Sequence, residues 1–94
     1  MPAGNRIMPD EDDLAFSAPI RSSRDMPRPL FFKKVWEAID FVDGRLTEVQ
    51  LAAPHWQRAR SALWAAYGPP PDPGKVPMAE EAFTAALKKQ GWHV

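Results

Sequence analysis

The chain reads as a small α+β domain: a two-stranded β-hairpin followed by three main α-helices, with an acidic leader ahead of them. Three observations predict this class. Apolar residues alternate with a period of two over 14–21 and then recur at helical spacing in later stretches. The 11 prolines and 5 glycines cluster between those stretches and punctuate them. The 94 residues are 45% hydrophobic and 26% charged, the balance of one ordinary globular domain.

Residues 1–13 form the leader. Pro2 and Pro9 interrupt it, and Asp10, Glu11, Asp12 and Asp13 repel one another while burying nothing, so the leader is expected to be disordered. From 14 onward Leu14, Phe16, Ala18 and Ile20 point one way, and Ala15, Ser17, Pro19 and Arg21 the other, as in a half-buried strand. Pro19 has no N–H to donate, which assigns the strand to a sheet edge. Ser22, Ser23, Arg24 and Asp25 supply a turn, and Pro27 and Pro29 favour extended backbone into a short partner strand over 28–32.

The first helix spans 33–43. Val35, Ala38, Ile39 and Val42 make its stripe, Trp36 flanks it, Glu37 and Asp40 face away, and the Asp43-Gly44 pair gives a stop. Thr47 followed three residues later by Gln50 has the form of a capping box and predicts a helical turn over 48–53. Pro54 suits the first position of a second main helix, over 54–67, with Trp56, Ala59, Leu63, Ala66 and Tyr67 on one face and Gln57, Arg58 and Ser61 on the other. Gly68 to Gly74 is a break within a Pro-rich loop covering 68–77. The last helix spans 78–90 on the stripe Ala79, Ala82, Phe83, Ala86 and Leu87. Glu80 and Glu81 lie in its first turn, Lys88 and Lys89 in its last, and Gly91 caps it. A folded part of 14–94 buries only roughly 60–65% of its unfolded surface, so aromatics must supply much of the core.

The order of features resembles a family. Phe16, Pro19 and Ile20 on the strand, Glu37 to Val42 on the first helix, Ala59 to Leu63 on the second and Ala79 to Ala86 on the last follow the layout of the bacterial domain of unknown function 982 family, found mostly in rhizobia and their relatives. Its members share a Phe-x-x-Pro-Val strand, a helix containing Glu-Ala, an Ala-rich central helix and a final Ala-x-x-Ala-Phe-x-x-Ala-Ala helix. The resemblance covers about 14–94. Ala65 or its neighbours stand where a cysteine is common in the family, and the Pro-rich loop is longer here. What the resemblance implies is a fold, with no assigned activity.

Several function classes are set aside by composition. Lys plus Arg and Asp plus Glu number 12 each, which removes the simple case for a nucleic-acid coat protein. There is no cysteine to form a disulfide, a thiolate nucleophile or a Cys-based zinc site. No apolar run approaches the ~18 residues of a membrane span, and the first residues lack a signal-peptide pattern, so a cytoplasmic protein is expected. His55 and His93 are far apart and read as a helix-start residue and a frayed terminal residue, so no metal is expected. Serines lack a nucleophile elbow and a placed histidine. The Gly68 to Lys75 stretch mimics a phosphate loop but is filled with prolines and lacks the terminal hydroxyl, so it reads as a stiff linker. Glu37, Asp40 and Asp43 share the polar face of the first helix and read as solvated carboxylates. The expectation is a protein that is not an enzyme and takes no cofactor.

Two binding surfaces remain. Phe41 and Trp64 miss the stripes of their helices, Arg60 stands four residues before Trp64 at the spacing of a cation–π pair, and Arg58 is close by. An exposed aromatic beside arginine is the usual makeup of a protein-binding hot spot. The leading expectation is therefore an interaction module that binds a protein partner or itself through Trp64, Arg60, Arg58 and Phe41, with Trp92 folding back onto the body. The alternative is weak nucleic-acid binding through Arg21, Arg24, Arg28, Lys33 and Lys34, a basic stretch that also carries Phe31 and Phe32.

Overall fold

A computed structural model of the chain describes residues 13–23 and 30–93. The expected disordered leader, apart from Asp13, and the expected turn residues Arg24 and Asp25 lie outside the described residues. The order is β1 (Ala15–Ser22), β2 (Leu30–Lys34), α1 (Val35–Arg45), α2 (Glu48–Leu51), α3 (Pro54–Tyr67), a 3₁₀ turn (Pro73–Lys75) and α4 (Val76–Gln90). The α+β class, a hairpin followed by helices, is the observed one.

β1 and β2 pair antiparallel, with Ser22 opposite Leu30, Arg21 opposite Phe31 and Ile20 opposite Phe32. The next pair is Ala15 with Lys34, so five steps along β1 face two along β2. Strict alternation places Ala18 inside; the irregular stretch turns it outward together with Ser17 and Pro19, and a proline without an N–H sits where the ladder is already interrupted. β2 continues to Lys34, two residues past the predicted end of 28–32, and runs directly into α1; Arg28 and Pro29 of that prediction lie outside the described residues.

A two-stranded sheet has two open edges, and the fold closes that of β1. The Glu80 carboxylate on α4 accepts the Ser17 N–H at 2.9 Å and the Ser17 hydroxyl at 2.8 and 3.0 Å. Further along, the Ser23 N–H donates to the Trp92 carbonyl at 2.7 Å, and Ser22 forms an isolated antiparallel bridge with His93. His93 is thus an edge partner and not the frayed end that its position suggests.

Helix ends follow local chemistry. Glu37 reaches back to accept the Lys33 and Lys34 N–H groups at 2.6 and 2.9 Å, which starts α1. That helix continues through Gly44 to Arg45, past the predicted stop. In α2, Thr47 and Gln50 exchange the two bonds of a capping box, at 3.1 and 2.9 Å. α3 has the predicted bounds, and α4 starts two residues earlier than expected. Gly91 ends α4 at φ +83°, a conformation that glycine adopts without strain.

Phe83 occupies the centre of the core. Its ring meets Phe32 at 5.0 Å, Phe41 and Trp56 at 6.2 Å each and Phe16 at 6.4 Å between centroids. Alanines buried along α3 (Ala59, Ala66) and α4 (Ala79, Ala86) let the two helices pack closely. The Trp56 indole is fully enclosed, and its Nε1–H donates to Gln90 Oε1 at 3.0 Å, so a buried donor is satisfied; His55 Nε2 lies 3.2 Å from the same oxygen. Trp92 folds back as expected, 6.0 Å from Trp56 and 6.3 Å from Phe41.

Phe41 corrects the sequence reading. It is 3% exposed, wedged among Phe32, Trp56, Phe83 and Trp92, and offers no binding surface. The reason is the width of the covered face of α1. The helix packs against β2, α3 and α4 together, so residues on both sides of the Val35/Ile39/Val42 stripe are enclosed.

Candidate functional site

α3 commits Trp56, Ala59, Leu63 and Ala66 to the core and leaves Arg58, Arg60, Ser61, Trp64 and Ala65 exposed on its other side. Packing of α1 against α3 brings Asp43 opposite two of these. Asp43 Oδ1 accepts Arg60 Nε–H at 2.7 Å, and Oδ2 accepts Trp64 Nε1–H at 3.0 Å. Arg60 and Trp64 are joined through this carboxylate, where their spacing alone suggested a direct cation–π contact. The Trp64 ring also meets Tyr67 edge to face, at 5.5 Å and 87°. The indole is thereby fixed at its donor and braced along its side while 39% of the residue stays exposed.

Beyond Trp64 the chain turns sharply. Gly68 has φ +86°, and a Cβ there would collide with the backbone of Pro70, so only glycine fits. The Asp72 N–H donates to the Ala66 carbonyl at 2.8 Å, and Asp72 Oδ1 accepts the Gly74 N–H at 3.1 Å, tying the Pro-rich loop back to the end of α3. The result is a hollow of about 450 Å³ between Trp64, Ala65, the three prolines Pro69, Pro70 and Pro71, and Lys75. A second hollow of about 440 Å³ adjoins it, sharing Ala65 and Lys75 and extending to Arg58, Ser61, Ala62 and Met78.

Of the four residues expected to bind a protein partner, Trp64, Arg60 and Arg58 are exposed on α3, with Arg60 on the flank beside Asp43 of α1 and Arg58 on the flank beside Met78 of α4, and Phe41 is in the core. Asp43 was missed as a site residue; its signal was an acid at the C-terminal end of α1, legible only once α1 and α3 are known to be neighbours. The three carboxylates of α1 divide: Glu37 starts the helix, Asp43 anchors Arg60 and Trp64, and Asp40 is exposed.

The basic stretch is only partly brought together. Arg24 and Arg28 lie outside the described residues. Arg21 and Lys33 are exposed on the hairpin, Lys34 is half-buried, and the Arg21 guanidinium stands 5.6 Å from the centre of the Phe31 ring, itself 54% exposed. Sequence spacing carries no signal for a further hollow of about 720 Å³ between the start of β1 and α4, lined by Leu14, Ala15, Val76, Pro77, Glu81 and Lys88 among others. Among the described residues no group of three or more His, Cys, Asp or Glu side chains is placed to hold a metal ion, and no helix is long and apolar enough to cross a membrane. Comparison with protein-family models, with curated proteins and with solved structures finds no match for this chain.

Proposed function

We propose that the protein is a non-enzymatic interaction module, akin in layout to the domain of unknown function 982 family and working in the cytoplasm, that binds a protein partner through the outward face of α3. Trp64 is the anchor, Arg60 its charged neighbour and Arg58 a further contact. The observation that carries the reading is the pair of bonds from Asp43 to Arg60 and Trp64. An exposed indole ordinarily samples several rotamers, and ordering it on binding costs roughly 0.5–1.5 kcal/mol. Here it is ordered beforehand, beside a hollow, in the combination of Trp and Arg that dominates binding hot spots.

The test is capture of partners from the protein's own cell extract with the parent chain and with Trp64→Ala and Arg60→Ala, each with and without nuclease. Proteins retained after nuclease by the parent and lost by both variants support the reading. Retention unaffected by either substitution overturns it.

The Arg21–Phe31 pair favours a second reading, weak nucleic-acid binding on the hairpin, because cations and an exposed ring on one strand pair suit phosphate and base stacking. Recovery of nucleic acid that Trp64→Ala does not change, and that Arg21→Ala with Lys33→Ala abolishes, would place function there. Rising salt should weaken such binding steeply, in contrast to a hot spot on α3.

A further inference from the structure

We infer that the trough running from Trp64 along α3 to Arg58 takes an acidic amphipathic helix of the partner protein, a conclusion that rests on the α3 face being the binding surface. The hollow between α3 and the start of α4 is lined by Arg58, Ser61, Ala62, Ala65, Lys75 and Met78. Its floor is small side chains, Met78 forms an apolar wall at 69% exposure, and both charged residues lining this end of the trough are cations; a carboxylate, Asp72, lines the adjoining hollow beside Trp64. Arg58 has no hydrogen bond or ion pair among the described residues. Lys75 has only a loose contact with Asp72, at 3.8 Å. An occupant that covers the apolar floor must therefore bring negative charge to both cations, or strand them in a desolvated rim.

The shape selects a helix. Arg58 to Ala65 spans two turns of α3, roughly 10 Å at ~1.5 Å per residue, which matches anchors at i, i+3 or i+4, and i+7 on a docked helix. Small residues at Ser61, Ala62 and Ala65 allow two helix axes to approach to about 8–10 Å. At Ser61 and Ala62 the backbone of α3 is bonded within its own helix, and only the Ala65 carbonyl, with Pro69 four residues on, is left over, so the floor offers no ladder of N–H and C=O groups to an extended peptide. A helix arrives with those groups already satisfied. The partner segment is thus an amphipathic helix with small apolar anchors flanked by Asp or Glu.

The experiment places p-benzoylphenylalanine at Met78 in the full chain, crosslinks in the protein's own cells and sequences the attached peptide. A second probe at Val49, exposed on α2 and outside the trough, controls for chance contact. The expected result is a peptide from another protein, of helical apolar periodicity and net negative charge, obtained from the Met78 probe and not from Val49. Its yield should fall at least ~10-fold in an Arg58→Glu, Lys75→Glu background that keeps the parent circular dichroism spectrum. A net basic or Pro-rich peptide, a peptide from a second copy of this chain, no peptide at all or a yield indifferent to the charge reversals would overturn the inference. If Trp64→Ala still abolishes partner capture in that case, only the helix assignment fails; if Trp64→Ala has no effect, the α3 reading fails as well.

Discussion

Replacing Asp43 by alanine separates ordering of the binding surface from stability of the fold. The carboxylate accepts one bond from Arg60 and one from Trp64, at 2.7 and 3.0 Å, with the side chains of Arg60 and Asp43 46% and 29% exposed. At that exposure the ion pair is worth about 0–1 kcal/mol, and the indole bond adds about 1 kcal/mol. Unfolding in urea should thus show a loss of roughly 1–2 kcal/mol. Binding should suffer more. With both side chains released, each must be ordered on association at about 0.5–1.5 kcal/mol, together roughly 1–3 kcal/mol. That corresponds to Kd weakened about 5- to 150-fold, read by calorimetry against the captured partner. A readout without partner comes from NMR: the Trp64 indole Nε1–H should be ordered in the parent and mobile in Asp43→Ala. An indole equally ordered in both, or an unchanged Kd with a mobile indole, would refute the reasoning. So would a stability loss above ~3 kcal/mol, which would make Asp43 a keystone of the fold.

Three further substitutions probe the parts that position this surface. Phe41→Ala should cost about 3–5 kcal/mol in urea unfolding because it empties the middle of the aromatic cluster, whereas Trp64→Ala should cost less than ~1.5 kcal/mol; equal losses would contradict the assignment of one to the core and the other to the surface. Gln90→Leu removes the acceptor of the enclosed Trp56 N–H and should destabilise by about 1–3 kcal/mol, a prediction that fails if the melting temperature is unchanged. Glu80→Ala deprives the Ser17 N–H of its acceptor, so amide exchange at Ser17 should accelerate while exchange at Phe32, on the buried side of the hairpin, keeps its parent rate. Unchanged Ser17 exchange would mean that the carboxylate does not close the edge of β1.

Elements governed by local periodicity were legible in the sequence. Pro54, a stripe at helical spacing and Gly68 sufficed for both ends of α3, and Thr47 with Gln50 for the start of α2, which ends at Leu51, two residues short of the expected 48–53. Features that depend on which elements meet were not. Gly44 looks like a helix stop, but α1 runs through it and ends one residue later, at Arg45. Ala18 obeys a period of two in the sequence and still faces outward, because the register slips between Ala15 and Ile20. Phe41 looks off-stripe only if one neighbour is imagined for α1, and it has several. The candidate site divides the same way: Trp64, Arg60 and Arg58 could be found from one helix, while Asp43, Lys75 and Met78 come from other parts of the chain.

Apart from the exposed Phe31 and Trp36, the aromatic residues fall into two groups with different physics. Phe16, Phe32, Phe41, Trp56, Phe83 and Trp92 touch one another in a chain of ring contacts and gain their stability from leaving water. Trp64 has ring contact with Tyr67, itself partly buried against the core, donates to a carboxylate and faces the prolines across a hollow. Burial alone does not hold it, since 39% of the residue stays exposed. What holds it is directional, a bond to a carboxylate that is itself shared with Arg60. A core position needs no such bond, because packing fixes its rotamer, and an ordinary surface position gains little from fixing a large apolar ring in water. Order without burial has a use when a second surface arrives to complete the burial, because the entropy of the ring has then already been lost in folding and does not weaken the association.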